Sequence, residues 1–227
     1  LKINLKSSLE KLRLSGLKPQ YEEKRNIYKI TYRMPGKSER TQVNLPKVVI
    51  FDEIYAKEFG KWMGDRCGGR SKVGVANKNW TFIKTFEYLL QSLNQEKIDL
   101  TLTHSSSFNP KLIQRKVKKI ALCKTQYGNY AFRVEVSNKL LRDLVFNKFE
   151  EHIYSILFNS KRCVRHAFYA GLFEAEGSIS QDLHNISYAF GINLKKERTN
   201  EEIRKVLKKA VYLNYLLKMD GFNPRIS

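Results

Sequence analysis

Apolar positions along the chain recur in two rhythms, and each change of rhythm marks a boundary between elements. Residues 5–14 have helical spacing and stop at Gly16, after which 27–33 alternates as the best strand of an apparent hairpin. A helix is expected over residues 52–64, then one hairpin with a loose turn in the Gly-rich stretch 68–76. Phe82, Ile83, Phe86, Leu89, Leu90 and Leu93 share one face of an amphipathic helix over 80–94. Residues 98–103 alternate as a strand. A loop at 105–110 leads to strands at 117–125 and 130–136, separated by the turn signal Tyr127-Gly128-Asn129. In the second of these, Tyr130, Phe132, Val134 and Val136 line one face, and Arg133 and Glu135 fall on the other. Asn138 caps a helix running to about 151.

The remaining residues restart that order. A helix is expected over 160–176, a strand beginning at Ile179 and Gln181, and strict alternation at Ile186, Tyr188, Phe190, Ile192 and Leu194. Thr199 and Glu202 form a capping box. The helix that follows carries Ile203, Val206, Leu207, Val211, Leu216 and Leu217, and Gly221 and Pro224 stop it. The second run is short, with 51 residues after its acid (177–227) against 86 in the first (66–151).

Two helices end in the same design. Tyr169-Ala-Gly-Leu-Phe-Glu-Ala-Glu-Gly177 has Gly171 and Ala175 four apart, on one face, so a second helix can approach closely. Glu176 then stands at a helix C-terminus, where the macrodipole disfavours negative charge by roughly 0.3–1 kcal/mol. Phe59-Gly-Lys-Trp-Met-Gly-Asp65 repeats the spacing, with Gly60 matching Gly171, Gly64 matching Ala175 and Asp65 matching Glu176. Packed through their small faces, the helices bring both carboxylates to one end of the pair. A divalent cation is the simplest partner for them.

These motifs resemble the LAGLIDADG family of homing endonucleases in its single-chain, two-motif form. The first motif departs from the pattern: Lys61 stands where the family has an aliphatic residue, and Arg66 replaces the glycine after the acid. The resemblance implies an α+β fold of two pseudo-symmetric αββαββα-like halves joined through the motif helices, with antiparallel β-saddles on DNA. The expected divisions are a basic extension at 1–50, a first half at 51–152 and a shortened second half at 153–227. Either the second half is truncated or the extension supplies its missing hairpin.

The implied activity is site-specific hydrolysis of both strands of a DNA duplex, leaving 3′ overhangs. Asp65 and Glu176 are the expected ligands of Mg2+. Mn2+ is an acceptable substitute, and Ca2+ is expected to bind without supporting cleavage. Asn77 and Lys78 stand where the family places a polar–lysine pair, and Lys195, with Lys196 beside it, holds the equivalent place in the second half. Glu174 lies roughly 200° around the helix from Glu176 and is expected to stay out of the chemistry.

Charge points to the same class of partner. Lys+Arg outnumber Asp+Glu 42 to 22, a formal net charge of +20 that is a footprint for a polyanion. Ribosome-associated proteins share such an excess, so charge alone does not imply an enzyme. Sequence reading is expected from the polar faces of the hairpins: Arg70, Lys72, Gln114, Arg115, Lys116, Lys118, Lys124, Gln126 and Arg133 in the first half, and Gln181, Asn185 and Asn193 in the second. Lys18, Lys24, Arg25, Lys29 and Arg33 extend the footprint from a segment holding twelve Lys+Arg against four Glu. The alternative within this fold is a non-cutting binder, either a maturase on intron RNA or a DNA-binding regulator.

Cys67, Cys123 and Cys163 are widely spaced, which fits a reducing compartment, and the four histidines form no metal-spaced cluster. The sequence carries no signal peptide and no membrane-length apolar run, so the expectation is an intracellular monomer in cytoplasm, nucleoid or organelle matrix.

Overall fold

A computed structural model describes residues 2–14, 19–33, 38–69, 71–113, 115, 117–122, 130–179, 186–188 and 200–224. The fold is α+β, with helices laid against small sheets that are antiparallel except at one strand pair.

The N-terminal elements are β1 (Lys2–Asn4), α1 (Lys6–Leu14), β2 (Gln20–Glu23), β3 (Ile27–Arg33), β4 (Arg40–Pro46) and β5 (Val48–Ile50). β2, β3 and β4 form a three-stranded antiparallel meander, one strand more than the expected hairpin, and β1 pairs with β5. Strict alternation decides which way the meander faces. Tyr28, Ile30, Tyr32, Val43 and Leu45 are buried on one side, leaving polar side chains on the other. Asn44 anchors it: Gln95 and Asn138 donate to its carbonyl oxygen at 3.0 Å each, and its own amide reaches Glu96 at 3.3 Å. Lys148 donates to Ser8 at 3.0 Å. Among the described residues, the side-chain bonds leaving residues 1–50 therefore end on 95–148.

The central elements are α2 (Glu53–Asp65), β6 (Val73–Asn77), α3 (Trp80–Ser92), β7 (Ile98–His104), β8 (Lys119–Leu122), β9 (Tyr130–Val136) and a helical run from Lys139 to Phe158. Asp52 caps α2 by accepting from the Tyr55 amide at 2.8 Å, and Asn79 caps α3 through the Thr81 and Phe82 amides. Asn138 caps the last run, which passes from α4 (Lys139–Leu141) through a π-helical segment (Arg142–Phe146) into α5 (Asn147–Phe158), seven residues beyond the expected end at 151. Phe51, Tyr55, Phe59, Trp62, Phe146 and Phe149 form an aromatic cluster at the centre of the core.

Two expectations are corrected in this region. The stretch 68–76 holds one strand rather than a hairpin. The chain leaving α2 makes a single bridge from Arg66 to Val75, then turns at Gly68 (φ +84°) and enters β6. Glycine is needed at that turn, since a side chain would be strained at this φ. The strand expected at 117–125 does not pair with β9 either. The sheet order is β6-β9-β7-β8, so β7 lies between them and β8 runs parallel to β7. The register explains this: β9 carries buried Phe132, Val134 and Val136 and is covered on both edges, whereas β8 is short and largely exposed, Ile120 and Leu122 included, and takes the edge.

Beyond a three-residue turn lie α6 (Arg162–Glu176), β10 (Gly177–Ile179), β11 (Ile186–Tyr188) and α7 (Asn200–Met219). β10 and β11 pair antiparallel. α7 ends at Gly221, φ +90°, as expected from the sequence. Among its described side chains Leu213, Leu216 and Leu217 are buried, while Leu207 and Val211 of the same apolar set are exposed. The turn after α7 is tied to α6 through Asp220, which accepts from Arg165 Nη2 and Nε (2.5 and 2.8 Å) and from the Tyr169 hydroxyl (2.9 Å). No helix among the described residues is long and apolar enough to cross a membrane.

Candidate active site at the helix seam

α2 and α6 meet face to face, and glycine sets how closely. A Cβ on Gly60 would strike the Phe168 carbonyl oxygen and lie 2.8 Å from the Leu172 amide nitrogen. A Cβ on Gly171 would strike the Lys57 carbonyl oxygen, and one on Gly64 would lie 2.5 Å from Ala175 Cβ and 2.9 Å from Glu176 Cγ. Gly60, Gly64, Gly171 and Ala175 thus form one seam, the arrangement that their four-residue spacing predicts. Both helices run out at the same end of that seam, α2 at Asp65 and α6 at Glu176.

Burial pushes the Asp65 carboxyl up to about 6; its hydrogen bond from Asn77 opposes this, and the negative charge of Glu176 adds to it. Burial raises Glu176 as well. Among the described residues neither carboxylate has an ion-pair partner, so two negative groups share a partly desolvated end of the seam with no side-chain cation between them. Those residues also contain no group of three His, Cys, Asp or Glu side chains that could enclose an ion. The pair fits part of a magnesium shell, with water and substrate oxygens completing it, as is usual for that ion.

Asn77 has a role that the sequence did not reveal. It ends β6, and its Nδ2 donates to Asp65 Oδ2 at 2.5 Å while its Oδ1 accepts from the Asn79 amide at 2.8 Å. The start of α3 thereby orients the amide, and the amide orients the acid. Lys78, the next residue, is exposed and lines an open cleft with Trp80, Arg115 and Tyr130. Lys195 lies outside the described residues.

The two departures in the first motif both have structural partners. Lys61 is buried, 1 % exposed; its Nζ reaches Glu58 at 2.9 Å, Thr85 at 2.7 Å and Glu174 of the facing helix at 3.3 Å. Glu174 also pairs with Lys57 at 2.5 Å. Glu174 is therefore a seam residue, paired with α2 and not with the two terminal acids. Its direction away from Glu176 holds, but that direction takes it onto α2. Arg66 leaves the seam, pairing with Glu150 at 2.8 Å and lying over the Trp62 ring. Burial opposes ionisation of Glu150, yet Arg66 and Lys209 together hold its carboxyl below the usual range.

Other expected nucleic-acid contacts are already engaged within the chain. Lys72 and Arg133 both pair with Glu135, which is only 7 % exposed. Arg133 also donates to Cys67 Sγ at 3.2 Å, and burial pushes that thiol up to about 11, so Cys67 is an inert packing residue. Glu135 was expected on the open polar face. Its register partner is Gly74, where no side chain keeps the two cations away from it. Lys118 donates to the Ile98 carbonyl at 2.5 Å, and Arg115 lies over the Trp80 ring. Lys24 stands 4.0 Å from Glu22, Arg25 and Arg33 are exposed, and Lys29 is half-buried. Arg70, Gln114, Lys116, Lys124, Gln126, Gln181, Asn185, Asn193 and Lys196 lie outside the described residues, as does Lys18. No protein-family model matches the chain, and no curated protein matches it.

Proposed function

We propose that the chain is a metal-dependent endonuclease that cuts duplex DNA, with Asp65 and Glu176 as the metal-holding carboxylates. The observation carrying this reading is the uncompensated pair itself: two acids from separate helices, set at one end of a glycine-sealed seam. Such a pair is unfavourable without a cation, and nothing in the packing of α2 or α6 requires acids there. The pseudo-twofold arrangement of two halves belongs to the same reading. It is supported by the matched spacing on α2 and α6 and by the strand that follows each of them.

In this reading Mg2+ supplies the Lewis acidity that activates a water and stabilises the leaving oxygen. Asp65 and Glu176 hold the ion, and Asn77 keeps the Asp65 carboxylate turned toward the seam end. The open face of the β6-β9-β7-β8 sheet and the basic surface hold the duplex. Because Lys72 and Arg133 already share Glu135, their contribution to DNA requires exchanging that partner.

The test is incubation with Mg2+ and a plasmid library carrying candidate intron insertion sites, scored for linear product. Asp65→Asn and Glu176→Gln, which keep size and remove charge, should each abolish double-strand cleavage while leaving duplex binding intact or tighter. Normal cleavage by Asp65→Asn would sink the assignment of the first motif. Binding by the unmutated protein without cutting, in Mg2+ or Mn2+, would make the non-cutting binder the better reading.

A further inference from the structure

The polar face of the N-terminal meander contains an unfavourable feature that the fold does not require. Arg33 and Arg40 are direct cross-strand partners on β3 and β4, both exposed, and neither has an acidic partner within ion-pair distance among the described residues. Like charges directly opposite each other destabilise an antiparallel pair. The next pair on the same face, Thr31–Gln42, adds donors beside the arginines, while the pair after it, Lys29–Asn44, is half-buried against residues 94–97, where Asn44 is bonded to Glu96. The acids met on this face, Glu22 opposite Lys29 and Glu96 against Asn44, both stand at the far end from the arginines.

The face also lacks what a single-strand platform needs. The meander's aromatic residues, Tyr21, Tyr28 and Tyr32, alternate onto the opposite side. Single-stranded nucleic acids are held largely by stacking bases on exposed aromatic rings. Beyond the Gln20–Thr31 pair only β3 and β4 continue among the described residues, and a polar two-stranded end with paired cations matches a duplex instead, since such a ribbon fits the major groove and its arginines reach the phosphates.

We infer that the β3–β4 face is a second duplex-DNA contact surface, with Arg33 and Arg40 clamping the phosphate backbone and Thr31 and Gln42 facing the groove. This rests on the reading of duplex DNA as substrate, but it is independent of the carboxylate pair. The Asn44 bonds to Gln95, Asn138 and Glu96 fix the ribbon to the first half, so it holds duplex at a set place relative to the seam.

The experiment measures binding of the full chain to a 30-base-pair duplex of mixed sequence across a salt series. It compares the unmutated protein with Arg33→Ala/Arg40→Ala and Arg33→Lys/Arg40→Lys. Removing two phosphate contacts should flatten the slope of log affinity against log salt by about 2 and weaken binding to every duplex sequence. The lysine pair should keep the slope. The alanine variant should melt no lower than the unmutated protein, because two repelling charges are gone. An unchanged slope in the alanine variant, while Asp65→Asn still abolishes cutting, overturns this surface and leaves the endonuclease reading standing. A slope lost in the lysine variant, or an effect confined to single-stranded RNA of equal length, also overturns it. Failure of the unmutated protein to bind the duplex removes both readings together.

Discussion

Asp65 is the residue on which burial, hydrogen bonding and like charge converge. Its carboxyl is raised to about 6 in the folded chain, mainly by burial. A raised acid favours the folded state while protonated, and that advantage is lost as pH rises from the unfolded value near 4 through about 6. At about pH 8 the ionised group is a liability that Asp65→Asn removes. The variant should therefore melt higher than the unmutated protein at about pH 8, with the gap closing below about pH 4. Equal melting temperatures at both pH values would show that the carboxyl is not raised. Added Mg2+ should raise the melting temperature of the unmutated protein and leave Asp65→Asn unmoved, because an ion that binds only the folded state stabilises it by mass action. Asp65 and Glu176 were legible in the sequence because acids at matched places after matched small residues are unusual. Asn77 was legible only as a polar residue near the site. Its bond to Asp65 joins the end of a strand to the end of a helix, and neither rhythm announces that contact.

At the scale of elements, the α2–α6 seam rests on glycine contact and on a charged network that spans both helices. Gly171→Ala and Gly60→Ala put a methyl group against backbone, so each should cost about 1–3 kcal/mol in denaturant titrations. Gly69→Ala, where a Cβ meets nothing within 4 Å, should cost far less. A similar loss from Gly69→Ala would mean that the cost does not come from the seam, because the backbone-entropy effect of Gly→Ala acts in the stabilising direction. The buried Lys61 sharpens the point. Lys61→Met leaves Glu58 buried with one oxygen already lacking a hydrogen bond, and should cost about 3–5 kcal/mol. Adding Glu58→Gln should recover much of that loss, because the stranded charge is gone. Glu174→Gln should cost less, since its side chain is 41 % exposed. If the double variant is no more stable than Lys61→Met, Lys61 serves the seam by packing alone. A lysine in an apolar helix face reads from sequence as a defect. Only the approach of α6, which brings Glu174, and of α3, which brings Thr85, turns it into a cross-link.

For the whole molecule, the excess of cations is the dominant property, at a formal +20. Duplex affinity should fall steeply between about 50 and 200 mM salt and should persist in Ca2+ or EDTA, because phosphate contacts rather than metal ions supply most of it. An affinity indifferent to salt over that range would contradict a charge-driven interface. By the inference from Arg33 and Arg40, the N-terminal meander adds to that surface. Among the described residues, the extension's outgoing side-chain bonds end on 95–148.

Local rules carried most of the elements. Caps at Asp52, Asn79 and Asn138, the helical faces of α2 and α3 and the alternation of β3 and β9 depend on neighbours within a few residues, so the chain's own order contains them. The same holds for the seam, because four-residue spacing places two small residues on one face whatever lies opposite. Strand partnership is different. β8 joins β7 in parallel rather than β9 because pairing is settled by which edge remains after the buried strands are placed. The single strand at β6 likewise depends on Gly74 admitting Glu135, a contact 61 residues away in sequence. Tertiary structure alone decided where charges found partners. Lys72 and Arg133 read as cations for DNA and Arg66 and Lys61 as departures from the motif, and each found a carboxylate brought close by the fold. Arg33 and Arg40 found none within ion-pair distance among the described residues, because the strand register set them against each other.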